Sequence, residues 1–90
     1  MTTRPLMSRK ARDRELAVEL GKQLRLARKL RGLTLAQLAA LCGERMQTLQ
    51  KWETGDNQIT ATTLLRLAVA LDVPVARLFV VARHAAEAAR

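Results

Sequence analysis

Twenty residues at the centre of the chain decide the fold: residues 34–53 are TLAQLAALCGERMQTLQKWE. Thr34 is followed three residues later by Gln37, which is the spacing of a capping box, where each side chain bonds the other residue's backbone N–H. Gly43 is the residue best suited to the left-handed conformation that ends a helix. The stretch therefore predicts a short helix, a glycine turn and a second short helix.

The second of these helices is predicted to have two unlike faces. Leu49 and Trp52 lie three residues apart, so both should turn toward a core. The residues left on the outward face are Gln47, Thr48, Gln50, Lys51 and Thr54. In the major groove of DNA, glutamine can form two hydrogen bonds with adenine and lysine can donate to guanine. The outward face is therefore suited to contacting base edges.

The composition predicts one small globular domain with a polyanionic partner. A chain of 90 residues should bury only about 60–65% of its unfolded surface. It has 16 Lys and Arg against 8 Asp and Glu, and residues 1–31 hold ten of these basic residues against three acids. Arg and Ala are so abundant that a GC-rich genome could produce part of the excess, but its concentration in the first third favours a partner such as nucleic acid.

Other classes of protein find little support. The single cysteine, Cys42, excludes an internal disulfide framework and is expected to be a small core residue. The single histidine, His84, has no nucleophile at a suitable spacing, so we expect no enzymatic activity, metal ion or cofactor. No apolar run approaches the ~18 residues of a membrane helix. Arg9 and Lys10 interrupt any signal peptide, so we expect a cytoplasmic protein without membrane contact.

The first residues form a basic segment. Residues 1–12 contain Pro5 and lack an apolar period, which predicts a flexible arm that joins the first helix somewhere after Ser8. Two interpretations stay open for the basic residues of this segment and for Arg14, which follows it. They form either an arm that contacts DNA or a solvated tail. These residues are Arg4, Arg9, Lys10, Arg12 and Arg14.

Helical periodicity continues on both sides of the central pair. From about Asp13 to Arg31, a stripe of apolar residues predicts a buried face, with Asp13 and Glu15 in the first turn. The stripe is Leu16, Leu20, Leu24 and Ala27, extended by Leu30. Arg28 lies beside it and should need a partner. Thr60 should cap a helix over residues 61–71, and Pro74 should start a last one. The Ala-rich residues 80–90 favour a helical extension.

These residues together resemble the Cro/C1-type (XRE-like) helix-turn-helix family of phage repressors and bacterial regulators. The similarity extends from about Leu20 to Phe79 and rests on residues at the family's spacing. They are Leu20-Gly21, Arg28, Gly32-Leu33-Thr34, Leu38-Ala39, Gly43, Lys51-Trp52-Glu53, Gly55, Thr60, Leu71, Val73 and Leu78-Phe79. The resemblance implies an all-α fold: a compact five-helix, lambda-repressor-like domain over residues 13–79.

The resemblance also implies roles for individual residues. The helix at about residues 45–54 would be the recognition helix, with bases contacted by Met46, Gln47, Gln50 and Lys51. The residues expected to contact phosphates are Thr34, Arg45, Thr48, Thr54, Asn57 and Gln58. Arg28 and Glu53 would form an internal salt bridge.

Four positions depart from the family's pattern. Glu44 and Arg45 replace an apolar residue and a Ser or Thr cap, so the start of the recognition helix should be less sharply defined, and Arg45 could instead reach a phosphate. Leu35 replaces a frequent glutamine, which puts one backbone contact in doubt, and Asp56 places a negative charge in a loop that approaches phosphate.

The expected function is that of a sequence-specific, double-stranded DNA-binding transcriptional regulator, a repressor that binds a palindromic operator as a homodimer. Candidate dimer residues are Val75, Phe79 and Val80, although Phe79 could equally close the core. An antitoxin-like or adaptor module is the alternative, and contacts with a toxin or with RNA polymerase stay open. Single-stranded nucleic acid is disfavoured, because Trp52 and Phe79 are the only aromatic residues and both look buried.

Overall fold

The computed structural model describes residues 8–78, which form five helices and no strand. The helices are α1 (Arg9–Leu30), α2 (Leu35–Cys42), α3 (Met46–Thr54), α4 (Ala61–Leu71) and α5 (Val75–Leu78). The all-α prediction is confirmed for this part of the chain. The predictions for residues 1–7, for Phe79 and Val80, and for the extension at 80–90 fall outside the described residues.

Helix α1 begins earlier than the apolar period indicates. Ser8 takes an extended conformation, and its hydroxyl accepts a hydrogen bond from the backbone N–H of Ala11. This N-cap starts the helix at Arg9, so residues 9–12 are helical and Asp13 and Glu15 do not lie in the first turn. The expected acidic first turn was therefore wrong, because a serine cap set the start and not the apolar stripe.

The ends of α2, α3 and α4 follow local sequence signals. The Thr34 hydroxyl accepts from the Gln37 N–H at 3.1 Å, and the Gln37 amide oxygen accepts from the Thr34 N–H at 2.8 Å, which completes the capping box. Gly43 and Gly55 end α2 and α3 with φ of 71° and 82°, values that glycine adopts without strain. Thr60 caps α4 through the Thr63 N–H.

The core lies where α1, α2, α3 and α4 meet, and α5 closes one side of it. Its fully buried side chains are Leu24, Leu38, Leu49, Leu67, Leu71 and Leu78. The predicted α1 stripe is buried only in its middle, since Leu16 is 37% and Leu30 is 73% exposed. Leu16 lies before Gly21, the first buried residue of α1. Leu30 follows the buried Ala27 and Arg28, but it lies about 120° around the helix axis from Leu24 and therefore off the buried face.

Candidate nucleic-acid interface

Helices α1 and α3 cross with their backbones in direct contact. A Cβ atom added to Gly21 would overlap the carbonyl oxygens of Trp52 and Glu53. One turn earlier on α1, Val18 lies against Gly55, at the end of α3. Glycine at both contact points allows an approach that side chains would prevent. The position of α3 is thereby fixed by the backbone of α1.

A buried ion pair joins the same two helices. Arg28 Nε donates to Glu53 Oε2 at 2.7 Å and Nη2 donates to Oε1 at 3.0 Å, while Nη1 donates to the Leu33 carbonyl at 2.9 Å. The two side chains are only 11% and 6% exposed. Hydrogen bonding to the Glu53 carboxylate raises the pKa of Arg28 above its ordinary value, which favours the charged guanidinium. The salt bridge implied by the resemblance is thus present.

Helix α3 has one buried face and one exposed face. Leu49 and Trp52 are buried, while Met46, Gln47, Gln50 and Lys51 are exposed. Thr48 is half-buried. The described part of the chain therefore leaves the four residues expected to contact bases accessible along one face of a helix of nine residues.

The start of α3 has no side-chain cap. Arg45 occupies the N-cap position with φ −79° and ψ 145°, and its side chain makes no capping bond. The adjacent Glu44 accepts from Arg66 Nη2 at 2.9 Å, and Arg66 Nη1 donates to the Cys42 carbonyl at 2.8 Å. Glu44 is thereby held by α4, and the Arg45 side chain is left exposed. Sequence reasoning missed Arg66, because nothing local connects positions 44 and 66.

The threonines expected to contact phosphates differ in whether their hydroxyl groups are free to donate a hydrogen bond. The Thr34 hydroxyl acts as an acceptor in the capping box, so its own hydrogen is free to donate. The Thr54 hydroxyl instead lies within hydrogen-bonding distance of three acceptors: the Gln50 carbonyl, the Lys51 carbonyl and Asp56 Oδ2. It has a single hydrogen. Thr54 is therefore less able to donate to a phosphate than Thr34.

The loop after α3 meets the beginning of α1. Asp56, Asn57 and Gln58 are all exposed. A groove of about 400 Å³ separates this loop from the first turns of α1. Its lining residues are Ser8, Lys10, Ala11, Arg14, Ala17, Gly55, Asp56 and Gln58. Sequence reasoning singled out the basic residues but could not place them here, because the placement depends on how α1 crosses α3.

The candidate dimer surface is described only in part. Val75 is half-buried and packs against the core. A second apolar surface, which sequence reasoning missed, lies between α2 and α4, where Leu41, Leu65 and Val69 are exposed around a groove of about 390 Å³. No sequence signal marked them, because singly exposed apolar side chains are common on protein surfaces.

Cys42 is buried, as expected for a core residue, and burial raises the pKa of its thiol. No cluster of His, Cys, Asp and Glu within residues 8–78 is arranged to hold a metal ion. Of the helices in that same range, none combines the length and the apolar character that crossing a membrane requires.

The fold and the two-faced α3 define a helix-turn-helix domain of the kind found in DNA-binding transcriptional regulators. Residues 24–78 match the model of the HTH_3 helix-turn-helix family. Because this match covers more than half of the chain, the chain belongs to that family, and the resemblance drawn from its sequence is confirmed.

Solved structures agree with this assignment. The restriction-modification controller protein C.AhdI from Aeromonas hydrophila is 34% identical, with a TM-score of 0.69, over 72% of this chain and 97% of that one. An HTH_3 family transcriptional regulator from Vibrio cholerae is 31% identical, with a TM-score of 0.70, over 74% of this chain and 38% of that one.

Among curated proteins, the chain is similar to HTH-type transcriptional regulators from Sinorhizobium medicae and Rhizobium meliloti. Each is 28% identical over 74 residues, which is 82% of this chain and 53% of the relative. The chain thus spans about half the length of the curated relatives it matches.

Proposed function

We propose that this protein binds double-stranded DNA at a specific sequence and thereby regulates transcription. One observation carries the proposal: Gln47, Gln50 and Lys51 are exposed on α3, while its opposite face is buried and its last turn is joined to α1 by an ion pair. Such a helix presents amide and ammonium groups at a fixed orientation, which the hydrogen-bonding pattern of the major groove requires.

In the proposed complex, α3 lies in the major groove. Gln47 and Gln50 pair with bases, preferentially adenine, and Lys51 donates to guanine. Met46 contacts apolar base edges such as the thymine methyl group. The residues around α3 bind the backbone: Thr34 and Arg45 on one side of the helix, and the loop that holds Asn57 and Gln58 on the other.

Phosphate binding by the remaining two predicted residues is weaker in this proposal. The Thr54 hydroxyl is directed toward acceptors of its own loop. Thr48 is half-buried, so only part of its side chain can reach the DNA. These two residues should therefore contribute less than Thr34 or Arg45.

The proposal includes a homodimer that binds a palindromic operator and represses by covering a promoter. One domain of this size contacts few base pairs, so two copies on half-sites about 34 Å apart give a useful specificity. Val75, Phe79 and Val80 remain the candidate dimer residues, and the exposed apolar surface of Leu41, Leu65 and Val69 is a further one. The site of action in this proposal is the cytoplasm.

Selection of bound sequences from a random pool of DNA duplexes tests the proposal. We expect one enriched motif whose two halves are related by a two-fold axis, and sedimentation of the free protein at tens of micromolar should show a dimer. Absence of any enriched motif would contradict sequence-specific binding. An enriched motif without symmetry, together with a monomer in sedimentation, would contradict the homodimer alone. Specific capture of a toxin-like protein in place of DNA would favour the antitoxin-like alternative.

A further inference from the structure

The first turns of α1 extend beyond the crossing with α3. Gly21 marks the crossing, and α1 begins twelve residues before it, at Arg9. At 1.5 Å per residue this segment is about 18 Å long. It runs beside the loop that follows α3, which the groove lined by Lys10, Arg14, Asp56 and Gln58 demonstrates. The α1 segment therefore continues the same edge of the molecule as that loop.

Two cations of this segment point to the same side. Lys10 and Arg14 lie four residues apart, so they share one face of α1, and both line the groove. Both are exposed. The ion pairs among residues 8–78 are Lys22–Glu19, Arg28–Glu53, Arg31–Asp72 and Arg66–Glu44, none of which includes Lys10 or Arg14. Their charges are thus not neutralised by a close partner in the described chain.

A carboxylate lies across the groove from these two cations. Asp56 lines its loop side, and its Oδ2 atom is 3.2 Å from the Thr54 hydroxyl. The carboxylate holds the loop and lowers the local positive potential. A polyanion that approaches this edge would meet two positive charges on the helix and one negative charge on the loop.

We infer that Lys10 and Arg14 form a phosphate-binding rim on α1, which binds the DNA backbone next to the segment contacted by the loop at 55–58. This inference rests on the proposed DNA binding and deepens it. The rim contributes affinity for any sequence, because cations that neutralise phosphates release counterions without regard to the bases. The residues of α3 supply the sequence preference. The basic first turns of α1 thus act as a helical contact.

A pair of double variants tests the rim. Lys10→Gln/Arg14→Gln removes both rim charges, and Arg25→Gln/Lys29→Gln removes two exposed charges, also four residues apart, from the other half of α1. Both variants change the net charge by the same amount. Affinities are measured for the selected duplex and for a scrambled duplex over a series of KCl concentrations, and circular dichroism checks that both variants are folded.

We expect the rim variant to bind both duplexes roughly tenfold more weakly at 0.1 M salt and to lower the salt slope by about 1.8, since each phosphate contact contributes about 0.9. The ratio of affinities between the two duplexes should stay unchanged. The control variant should keep the slope of the wild type, because Arg25 and Lys29 do not line the groove beside the loop after α3. Asp56→Asn should have the opposite effect and raise affinity for both duplexes a few-fold.

Equal salt slopes of the affinity for the rim and control variants would overturn the proposed rim, even if the wild type prefers its selected duplex. A rim variant that loses the sequence preference without a change in slope would overturn it as well. A wild type that binds both duplexes equally would overturn sequence-specific binding alone, because the difference in slope between the two variants would still decide the rim. A wild type that binds neither duplex would overturn both.

Discussion

The two faces of α3 differ in what surrounds them. Leu49 and Trp52 on one face are enclosed by the core, and Glu53 is bonded to Arg28. Gln47 and Gln50 on the other face are exposed. Substitutions on the first face should change stability, and substitutions on the second should change binding. The difference shows how a short helix can be both fixed in place and free to contact a partner.

The largest expected effect is on the buried face. Glu53→Ala leaves Arg28 buried without its counter-charge, which should lower the free energy of unfolding by about 3–5 kcal/mol. Urea denaturation followed by circular dichroism measures this loss. The double variant Arg28→Met/Glu53→Leu serves as the control, since replacing both partners by apolar residues should cost less than removing one. A loss below about 1 kcal/mol for Glu53→Ala, as for a surface pair, would contradict the role of the ion pair.

Gly21→Ala tests the backbone contact of α1 with α3. The added methyl group would overlap the carbonyl oxygens of Trp52 and Glu53, and such overpacking costs about 1–3 kcal/mol. The sign of the change in stability is diagnostic, because an alanine at an unhindered helical position stabilises a protein by about 1 kcal/mol relative to glycine. A rise in the melting temperature would therefore show that the two helices do not approach this closely in solution.

Substitutions on the exposed face should reduce DNA binding and leave stability nearly unchanged. Gln47→Ala and Gln50→Ala should each cost about 1–3 kcal/mol of binding free energy on the preferred duplex, while stability changes by less than about 0.5 kcal/mol. Fluorescence anisotropy with the selected and scrambled duplexes measures the loss. Gln23→Ala removes the same amide from α1 and should leave the preference intact. A loss of equal size on both duplexes would contradict base contact by these glutamines.

The smallest effect is expected at the N-terminus of α3. Arg45 has the backbone conformation of an N-cap but makes no capping bond. Arg45→Ser should supply that bond and raise stability by about 1 kcal/mol, while DNA affinity falls if Arg45 binds phosphate as proposed. Arg45→Ala is the control that removes the charge without adding a cap. Equal melting temperatures for the Ser and Ala variants would contradict the expected stabilisation by a serine N-cap.

Features that depend on neighbouring residues could be predicted from the sequence. The capping box of Thr34 and Gln37, the turn at Gly43 and the inward position of Leu49 and Trp52 all follow from spacing within one or two turns. The exposure of Gln47, Gln50 and Lys51 follows from the same helical period.

Features that depend on distant parts of the chain could not be predicted from the sequence. The periodicity of α1 gives a stripe but not which part of it the other helices cover, so the exposure of Leu16 and Leu30 was missed. The bond between Glu44 and Arg66 joins residues 22 positions apart. The place of Lys10 and Arg14 beside the loop after α3 depends on the crossing of two helices, which no local pattern specifies.

The glycine-mediated crossing has a consequence for evolution and engineering. Main-chain atoms of α1 and α3 meet directly at Gly21. Substitutions of the exposed side chains of α3 should therefore not change the orientation of this helix. Positions 47, 50 and 51 can then be randomised as an independent library. Under the proposed DNA binding, variants from such a library should keep the same orientation of α3 on DNA and differ only in the sequences that they prefer.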